Sequence, residues 1–173
     1  MGWAKGELED LVDMLNHAII NPQIQDGWRF EVFVWRARKG RLLIRTELDK
    51  RGIDLHSVLC PLCDGDVESV DHSLLSCEKV CDMWNKVFNW REFNRSTTAS
   101  LNDLLQCNTP HIATDSGKSI WQALIWTSGY LIWKNRNQVV FKNKGWSSRV
   151  ALSEIQIKSF EWIAKRIKGI NID

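Results

Sequence analysis

Three cysteines and one histidine lie close together in the sequence, before the centre of the chain. Cys60 and Cys63 are separated by two residues, His72 follows after eight more, and Cys77 after a further four. Two cysteines at this spacing can direct both thiolates at one ion from a tight turn, and His72 and Cys77 can reach it from the start of a following helix. Three sulfurs and one imidazole complete a tetrahedral zinc site. Because no position remains for a catalytic water, we predict a structural zinc ion.

Two alternatives to this ligand set remain open. Free cysteines are among the most frequently buried residues, so these cysteines could be reduced core thiols without a metal. Cys81 lies four residues after Cys77, on the same helical face, and could replace it as a ligand. The chain has five cysteines, an odd number that argues against a disulfide framework. The other candidates lie apart from the motif and are predicted to be surface or core residues: Cys107, His17, His56 and His111.

Hydrophobic spacing predicts mostly helices, so the predicted fold class is mainly α. Apolar residues recur every three or four positions in residues 7–20, 77–90 and 147–168, and a long apolar helix is expected at 119–141. Residues 30–37 fit either a strand or a buried helix, and we favour the helix. Few runs alternate with a period of two, which leaves little sign of a sheet.

Side-chain directions are predicted for two segments. In residues 42–50, Leu43 and Leu48 should face inward, and Gly52 stands where a helix C-cap is expected. Ser147 or Ser148 can cap the last helix. In that helix the residues expected to face the core are Leu152, Ile155, Phe160, Ile163 and Ile167, and those expected to face solvent are Lys158, Lys165, Arg166 and Lys168.

The chain divides by composition into two parts and a connector. Residues 94–118 are rich in Asn, Ser, Thr and Asp, with one Pro and one Gly, and contain a short turn at 101–106. We therefore predict a small Cys3His zinc-stabilised helical domain at residues 1–93, with its metal site in 60–77. A connector follows at 94–118, and a basic, tryptophan-rich two-helix C-terminal segment occupies 119–173.

The formal net charge of +2 conceals blocks of opposite sign. Residues 1–31 have two basic and six acidic residues (−4), and residues 64–78 have five acidic residues alone (−5). Residues 36–51 have seven basic and two acidic residues (+5), and residues 134–168 have nine and two (+7). Two basic blocks beside an acidic loop favour a polyanion as partner. The predicted nucleic-acid-binding residues of the first block are Arg36, Arg38, Lys39, Arg41 and Arg45.

Other chemistries leave no complete pattern in the sequence. Residues 116–119, Ser-Gly-Lys-Ser, resemble the end of a phosphate-binding loop, but Ile112 occupies the upstream glycine position. No acidic cluster suits two magnesium ions, so we predict no catalytic activity for this chain by itself. No apolar stretch is long enough for a membrane span or a secretory signal, which predicts an intracellular protein. Residues 60–77, here called the metal loop, lack the spacing of a calcium-binding loop, so solvated carboxylates are expected at Asp64, Asp66, Glu68 and Asp71.

Six motifs between residues 28 and 93 follow one another in a characteristic order. They are Phe33-Val34-Trp35-Arg36-Ala37, Arg41-Leu42, Leu48-x2-Arg51-Gly52-Ile53, Cys60-Pro61-Leu62-Cys63, Glu68-Ser69 with His72 and Cys77, and Trp84 with Trp90. In order and content they resemble the reverse-transcriptase zinc-binding domain of plant LINE-type (non-LTR) retrotransposons. The C-terminal segment, residues 119–173, is similar to the segment that follows this domain in such plant proteins. The similar residues are Trp133-Lys134-Asn135-Arg136-Asn137, Phe141 and Lys158-Ser159-Phe160-Glu161-Trp162-Ile163.

The resemblance implies an accessory module that lies C-terminal to a reverse transcriptase and handles template or target nucleic acid. The parent protein would be an RNA-directed DNA polymerase of the nucleus. Its zinc ligands would be Cys60, Cys63, His72 and Cys77. The implied partners are DNA or RNA and other parts of a retrotransposon protein. Neither a membrane nor a small-molecule substrate is expected as a partner.

Two questions stay open at the level of sequence. Trp28 or Trp35 could stack on a base, although core packing is the competing interpretation of both. The alternative function is a zinc-stabilised helical scaffold for protein interaction, in which the basic blocks are simply solvated. Steep salt dependence of nucleic-acid affinity separates the two functions, because only the first requires it.

Overall fold

The computed structural model describes residues 27–91, 100–106 and 114–166. This part of the chain contains no strand and has one isolated antiparallel bridge, between Leu59 and Val67. The mainly α prediction is confirmed, and the helix expected at 7–20 lies outside the described residues. The helices are α1 (Gly27–Arg38), α2 (Arg45–Asp49), a π-helical segment (His72–Ser76), α3 (Glu78–Trp90), α4 (Leu101–Gln106), α5 (Asp115–Lys142) and α6 (Ser148–Arg166).

Glycines with positive φ end the first two helices. Gly40 has φ +63° after α1, and Gly52 has φ +76° after α2. At the second site Ile53 N donates to Leu48 O at 3.1 Å and Gly52 N donates to Asp49 O at 2.8 Å. This is the Schellman pattern, which satisfies carbonyls at the end of a helix. The cap predicted at Gly52 is confirmed.

Helices α5 and α6 form an antiparallel pair, and α1 packs across α5. Trp126 of α5 stacks on Trp162 of α6 with ring centroids 6.1 Å apart, and Lys134 lies 3.6 Å from Glu154 nearer the connecting loop. Against α1, Gly129 leaves room for Phe33, because a Cβ at residue 129 would lie 3.2 Å from the Phe33 ring. A glycine in mid-helix, otherwise unfavourable, therefore permits a close approach of two helices.

One hydrophobic core joins the metal loop to the C-terminal helices. Trp84 and Phe88 of α3 stack with centroids 5.7 Å apart, and Phe88 stacks on Trp121 of α5 at 5.9 Å. The same cluster includes Leu74 from the π-helical segment and Ile155 from α6, both fully buried. The two parts predicted from composition thus share a core, and the predicted boundary at 94–118 stays a prediction.

Two predicted side-chain directions are wrong. Leu43 is 50% exposed, whereas Leu42 and Ile44 are buried. The backbone before α2 is extended, with Ile44 at φ −82° and ψ 162°, so burial there follows a period of two rather than a helical period. Phe160 is 51% exposed, and its ring lies edge-to-face with that of Trp90, with centroids 5.8 Å apart.

The buried face of α6 is slightly rotated from the predicted one. Ser147 caps the helix, since its side chain accepts from Val150 N at 3.4 Å. The buried residues are Ala151, Ile155, Ser159 and Trp162, with Leu152 and Ile163 half-buried beside them. Lys158 pairs with Glu161 on the outer face, and Ile167 and Lys168 lie outside the described residues.

No helix in the described ranges is both long enough and apolar enough to cross a membrane.

Candidate metal centre

The first two cysteines of the motif lie in a tight turn. Cys60 N donates to Asp66 O at 2.7 Å, which closes the base of the loop. Inside it, Asp64 N donates to Cys60 O at 2.9 Å, and Asp64 adopts a left-handed φ of 54°. Such conformations are uncommon for residues other than glycine, and Asp is one of the residues that tolerate them. The turn brings Cys63 back towards Cys60.

The histidine and the last cysteine are one π turn apart. His72 begins the π-helical segment, and Cys77 N donates to His72 O at 2.9 Å, a hydrogen bond between residues five apart. In an α-helix, residues five apart would point about 140° away from each other. The wider turn allows both side chains to face the same point. Isolated π turns are frequent at functional sites.

The structure brings together all four predicted ligands. Their ligand atoms all lie within 4.8 Å of one another. Cys60 Sγ is 3.9 Å from Cys77 Sγ, and Cys63 Sγ is 3.4 Å from His72 Nε2. A tetrahedral zinc ion with ordinary bond lengths separates two sulfurs by about 3.8 Å and a sulfur from a nitrogen by about 3.5 Å. The four side chains therefore have the identity that a zinc ion requires, and these two pairs have the separation that it gives.

The site is well shielded from water. Cys60 and Cys77 are fully buried, His72 is buried, and Cys63 is half-buried. The hydrogen bond from the Cys60 thiol to Cys77 raises the pKa of Cys60, and burial raises it further. The same hydrogen bond lowers the pKa of Cys77. Because a metal ion binds thiolates, metal binding at this site must release the proton of the Cys60 thiol.

The imidazole of His72 has a carboxylate on the side away from the sulfurs. Its Nδ1 lies 3.8 Å from Asp66 Oδ2, while Nε2 faces Cys63. A carboxylate near the second ring nitrogen favours the tautomer with a proton on Nδ1, and leaves Nε2 as the metal ligand. The Asp66 side chain itself is 78% exposed.

The other cysteine and histidine that the structure describes, Cys81 and His56, do not join the cluster. Cys81 Sγ donates to Leu75 O at 3.2 Å, and Cys81 is not part of the group of ligand atoms. The structure therefore does not place Cys81 at the site as a substitute ligand. His56 is exposed. Cys107, His17 and His111 lie outside the described residues.

Comparison with known families adds an independent observation. Residues 13–84 match the model of a family described as zinc-binding in reverse transcriptase. The match confirms the predicted resemblance to a reverse-transcriptase zinc-binding domain. It includes all four candidate ligands and ends inside α3, so α5 and α6 lie beyond it. No curated protein and no solved structure matches the sequence.

Within the segment that matches this family, Glu68 is buried, whereas the sequence predicts a solvated carboxylate. Asp64, Asp66 and Asp71 are exposed as expected, but Glu68 is fully buried. Its carboxylate accepts hydrogen bonds from Arg45 N at 2.7 Å and from the Ser73 hydroxyl at 3.0 Å. A buried carboxylate requires such partners, because an unpaired buried charge is strongly unfavourable.

The main partner of Glu68 is Arg136 of α5. Arg136 Nε donates to Glu68 Oε1 at 2.7 Å, and its Nη2 donates to Oε2 at 2.5 Å. Both side chains are at most 2% exposed. The guanidinium also lies over the Trp133 ring, 5.0 Å from its centroid. The prediction that residues 134–168 form a basic contact surface is therefore wrong for Arg136.

Sequence reasoning missed this pair, although a signal for it exists. Ile125, Ile132 and Arg136 are seven and then four residues apart and all are fully buried, so the arginine continues the apolar face of α5. An arginine on the buried face of a helix requires a buried acid as partner. The sequence does not show that the acid is Glu68.

The predicted nucleic-acid-binding residues lie around the end of α1 and the start of α2. Arg36, Arg38 and Lys39 are exposed. Arg41 lies over the ring of Trp35, 5.7 Å from its centroid. Arg45 is half-buried, and its Nη1 donates to Leu59 O at 2.8 Å, so part of its hydrogen-bonding capacity supports the metal loop.

Proposed function

We propose that the chain is a nucleic-acid-binding module built around a structural zinc ion and derived from a LINE-type retrotransposon reverse transcriptase. The observation on which the proposal depends is the gathering of Cys60, Cys63, His72 and Cys77 into one buried group. With four protein ligands the coordination is complete, so the ion would have no open position for a substrate or a catalytic water. Such an ion stabilises the fold and takes no part in a reaction.

The exposed basic residues at the end of α1 are the proposed contact surface. Arg36, Arg38 and Lys39 are close in sequence, and Arg38 Nε donates to Asn102 Oδ1 of α4 at 3.2 Å. Trp35 is 4% exposed, which favours core packing over stacking on a base. Trp28 falls outside the described side chains. The proposed contacts are therefore to phosphates, which supply affinity without sequence specificity.

Metal analysis tests the first part of this proposal. The purified protein should contain one equivalent of zinc per chain, retained through gel filtration. A folded, metal-free preparation that binds no added zinc would contradict the structural-zinc assignment and favour the interpretation in which the cysteines are buried thiols.

Salt dependence tests the second part. Neutralising Arg36, Arg38 and Lys39 together should weaken binding to every sequence of a nucleic-acid panel alike. Each phosphate that the protein no longer neutralises should flatten the slope of log affinity against log salt by about 0.9 for a duplex, or about 0.7 for single strands. Because the three side chains are exposed, the melting temperature should change little. Fluorescence anisotropy at several salt concentrations measures the slope.

Two matched variants complete this experiment. Arg91→Gln removes an exposed positive charge outside both basic blocks and should leave the slope unchanged. Neutralising the exposed Asp64 and Asp71 should leave binding unchanged or tighten it, since negative charge near a polyanion repels it. An affinity that is insensitive to salt would instead support the protein-interaction scaffold.

We propose further that this chain by itself is not catalytic, and that the polymerase activity belongs to its parent protein. The family match concerns a zinc-binding accessory domain alone. A clean preparation should not extend a primer on an RNA template with or without magnesium. Incorporation of nucleotides would refute this part. The order of the six motifs supports a plant LINE-type origin. A nuclear location is proposed only because that origin implies it.

A further inference from the structure

We propose that Arg136 is a positioning residue for the metal ligands, and that it acts by holding the carboxylate of Glu68. This role rests on the proposed zinc site. It extends the metal-binding unit to α5, well beyond the segment 13–84 that matches the zinc-binding family. Four hydrogen bonds from described residues converge on the Glu68 carboxylate, and two of them come from Arg136.

Glu68 is joined to the backbone that presents Cys60. Glu68 N donates to Val58 O at 2.9 Å, two residues before this cysteine. The carbonyl of Leu59, immediately before Cys60, accepts from Arg45, whose own N–H donates to Glu68. A displacement of Glu68 would therefore shift the loop that contains the first two ligands.

Glu68 is equally joined to the segment that presents the histidine. The hydroxyl of Ser73, the residue after His72, donates to Glu68 Oε1 at 3.0 Å, and Arg136 Nε donates to the same oxygen. Ser69, the residue after Glu68, accepts from His72 N at 3.0 Å. The carboxylate thus connects the cysteine turn and the π-helical segment, and Arg136 fixes that carboxylate from α5. Outer groups that orient ligands typically change metal affinity 10- to 100-fold when they are mutated.

A competing interpretation treats the pair as an ordinary buried ion pair that stabilises the fold alone. Both interpretations predict a lower melting temperature when Arg136 is replaced, because the substitution leaves an uncompensated buried charge. They differ in zinc affinity. Only the positioning role predicts zinc binding weaker than that of an equally destabilised variant whose change lies outside the Glu68 hydrogen bonds.

The test uses the full chain with Arg136→Met and Arg136→Lys, and measures zinc affinity by competition with a chelating dye. Circular dichroism at the same temperature shows whether each variant is folded. We expect Arg136→Met to weaken zinc binding 10- to 100-fold. Arg136→Lys keeps the charge but cannot make the bidentate contact, so its affinity should lie between those of Arg136→Met and the unmodified protein. If Arg136→Met does not fold, Arg136→Lys decides the question.

Ile155→Ala is the matched control. Ile155 is fully buried on α6 and takes no part in the hydrogen bonds to Glu68, so its truncation should lower the melting temperature and leave those hydrogen bonds in place. Any change in its zinc affinity measures the effect of lost stability alone, because binding and folding free energies are coupled at a structural zinc site. If folded Arg136 variants bind zinc as tightly as this control does, the positioning role is refuted while the zinc site stands. If the unmodified protein binds no zinc, the proposed function itself fails.

Discussion

At the scale of single residues, the local backbone conformation determines which cysteine side chains reach the candidate metal site. Cys77 and Cys81 are one helical turn apart, yet only Cys77 faces the other sulfurs. Cys77 lies between the π-helical segment and α3, with φ −57° and ψ 134°, so it does not follow the helical direction of Cys81. The choice between two closely spaced cysteines thus depends on one non-helical backbone conformation.

A prediction at this scale compares those cysteines. Cys60→Ser or Cys77→Ser should lose zinc and cooperative unfolding together, because binding free energy at a structural zinc site is folding free energy. Zinc content and thermal denaturation measure both effects. Cys81→Ser should leave the zinc content unchanged, and loss of zinc in that variant would show that the ligand assignment is wrong.

At the scale of elements, the short helix α2 depends on its end. It has only five helical residues, too few to be stable alone, and its C-terminal carbonyls are satisfied by the Schellman hydrogen bonds at Gly52. The backbone N–H of its first residue, Arg45, donates to Glu68, and Thr46 Oγ1 donates to Glu68 O at 2.6 Å. This helix is therefore held between a glycine cap and the metal loop.

Substitution of Gly52 tests the cap. At φ +76° an alanine is strained, so Gly52→Ala should lower the free energy of unfolding by about 1 kcal/mol and the melting temperature by about 2–4 °C. Gly145→Ala is the control, because Gly145 is not among the glycines with positive φ and a Cβ there meets no atom within 4 Å. Equal effects of the two substitutions would contradict the strain argument.

At the scale of the whole molecule, burial joins the metal loop to the C-terminal helices. Fully buried residues from the π-helical segment, α3, α5 and α6 belong to one cluster, represented by Leu74, Trp84, Ile125 and Ile155. The Glu68–Arg136 pair adds a charged connection across the same interface. Elements that share buried surface and a buried ion pair are expected to unfold together.

Zinc release and loss of helix should consequently occur in a single thermal transition. A zinc-sensitive dye reports the first and far-ultraviolet circular dichroism the second, and their midpoints should coincide. Zinc release well before the loss of helix in α5 and α6 would indicate two separate units divided near residues 94–118, as composition predicts.

Several features of the fold and of the candidate metal site depend on local chemistry and are therefore predictable from the sequence. The candidate ligands Cys60, Cys63 and His72 follow from cysteine and histidine spacing, which left Cys77 and Cys81 as alternatives for the fourth. The mainly α class, the cap at Gly52, and helices α3, α5 and α6 follow from periodicity and turn chemistry, whereas periodicity left α1 open between a strand and a helix. All these features depend on residues close together in the chain. The backbone needs only a few neighbouring side chains to form them.

Other features depend on residues that are distant in the sequence and become apparent only in the tertiary structure. Glu68 appears as one of several loop acids, and Arg136 as one of nine basic residues in its block, until folding brings them 2.5 Å apart. Leu43 and Phe160 likewise face solvent because the extended segment before α2 and the packing of Trp162 determine which side is buried. Sixty-eight residues separate the two charges, and no local pattern encodes a contact across such a distance.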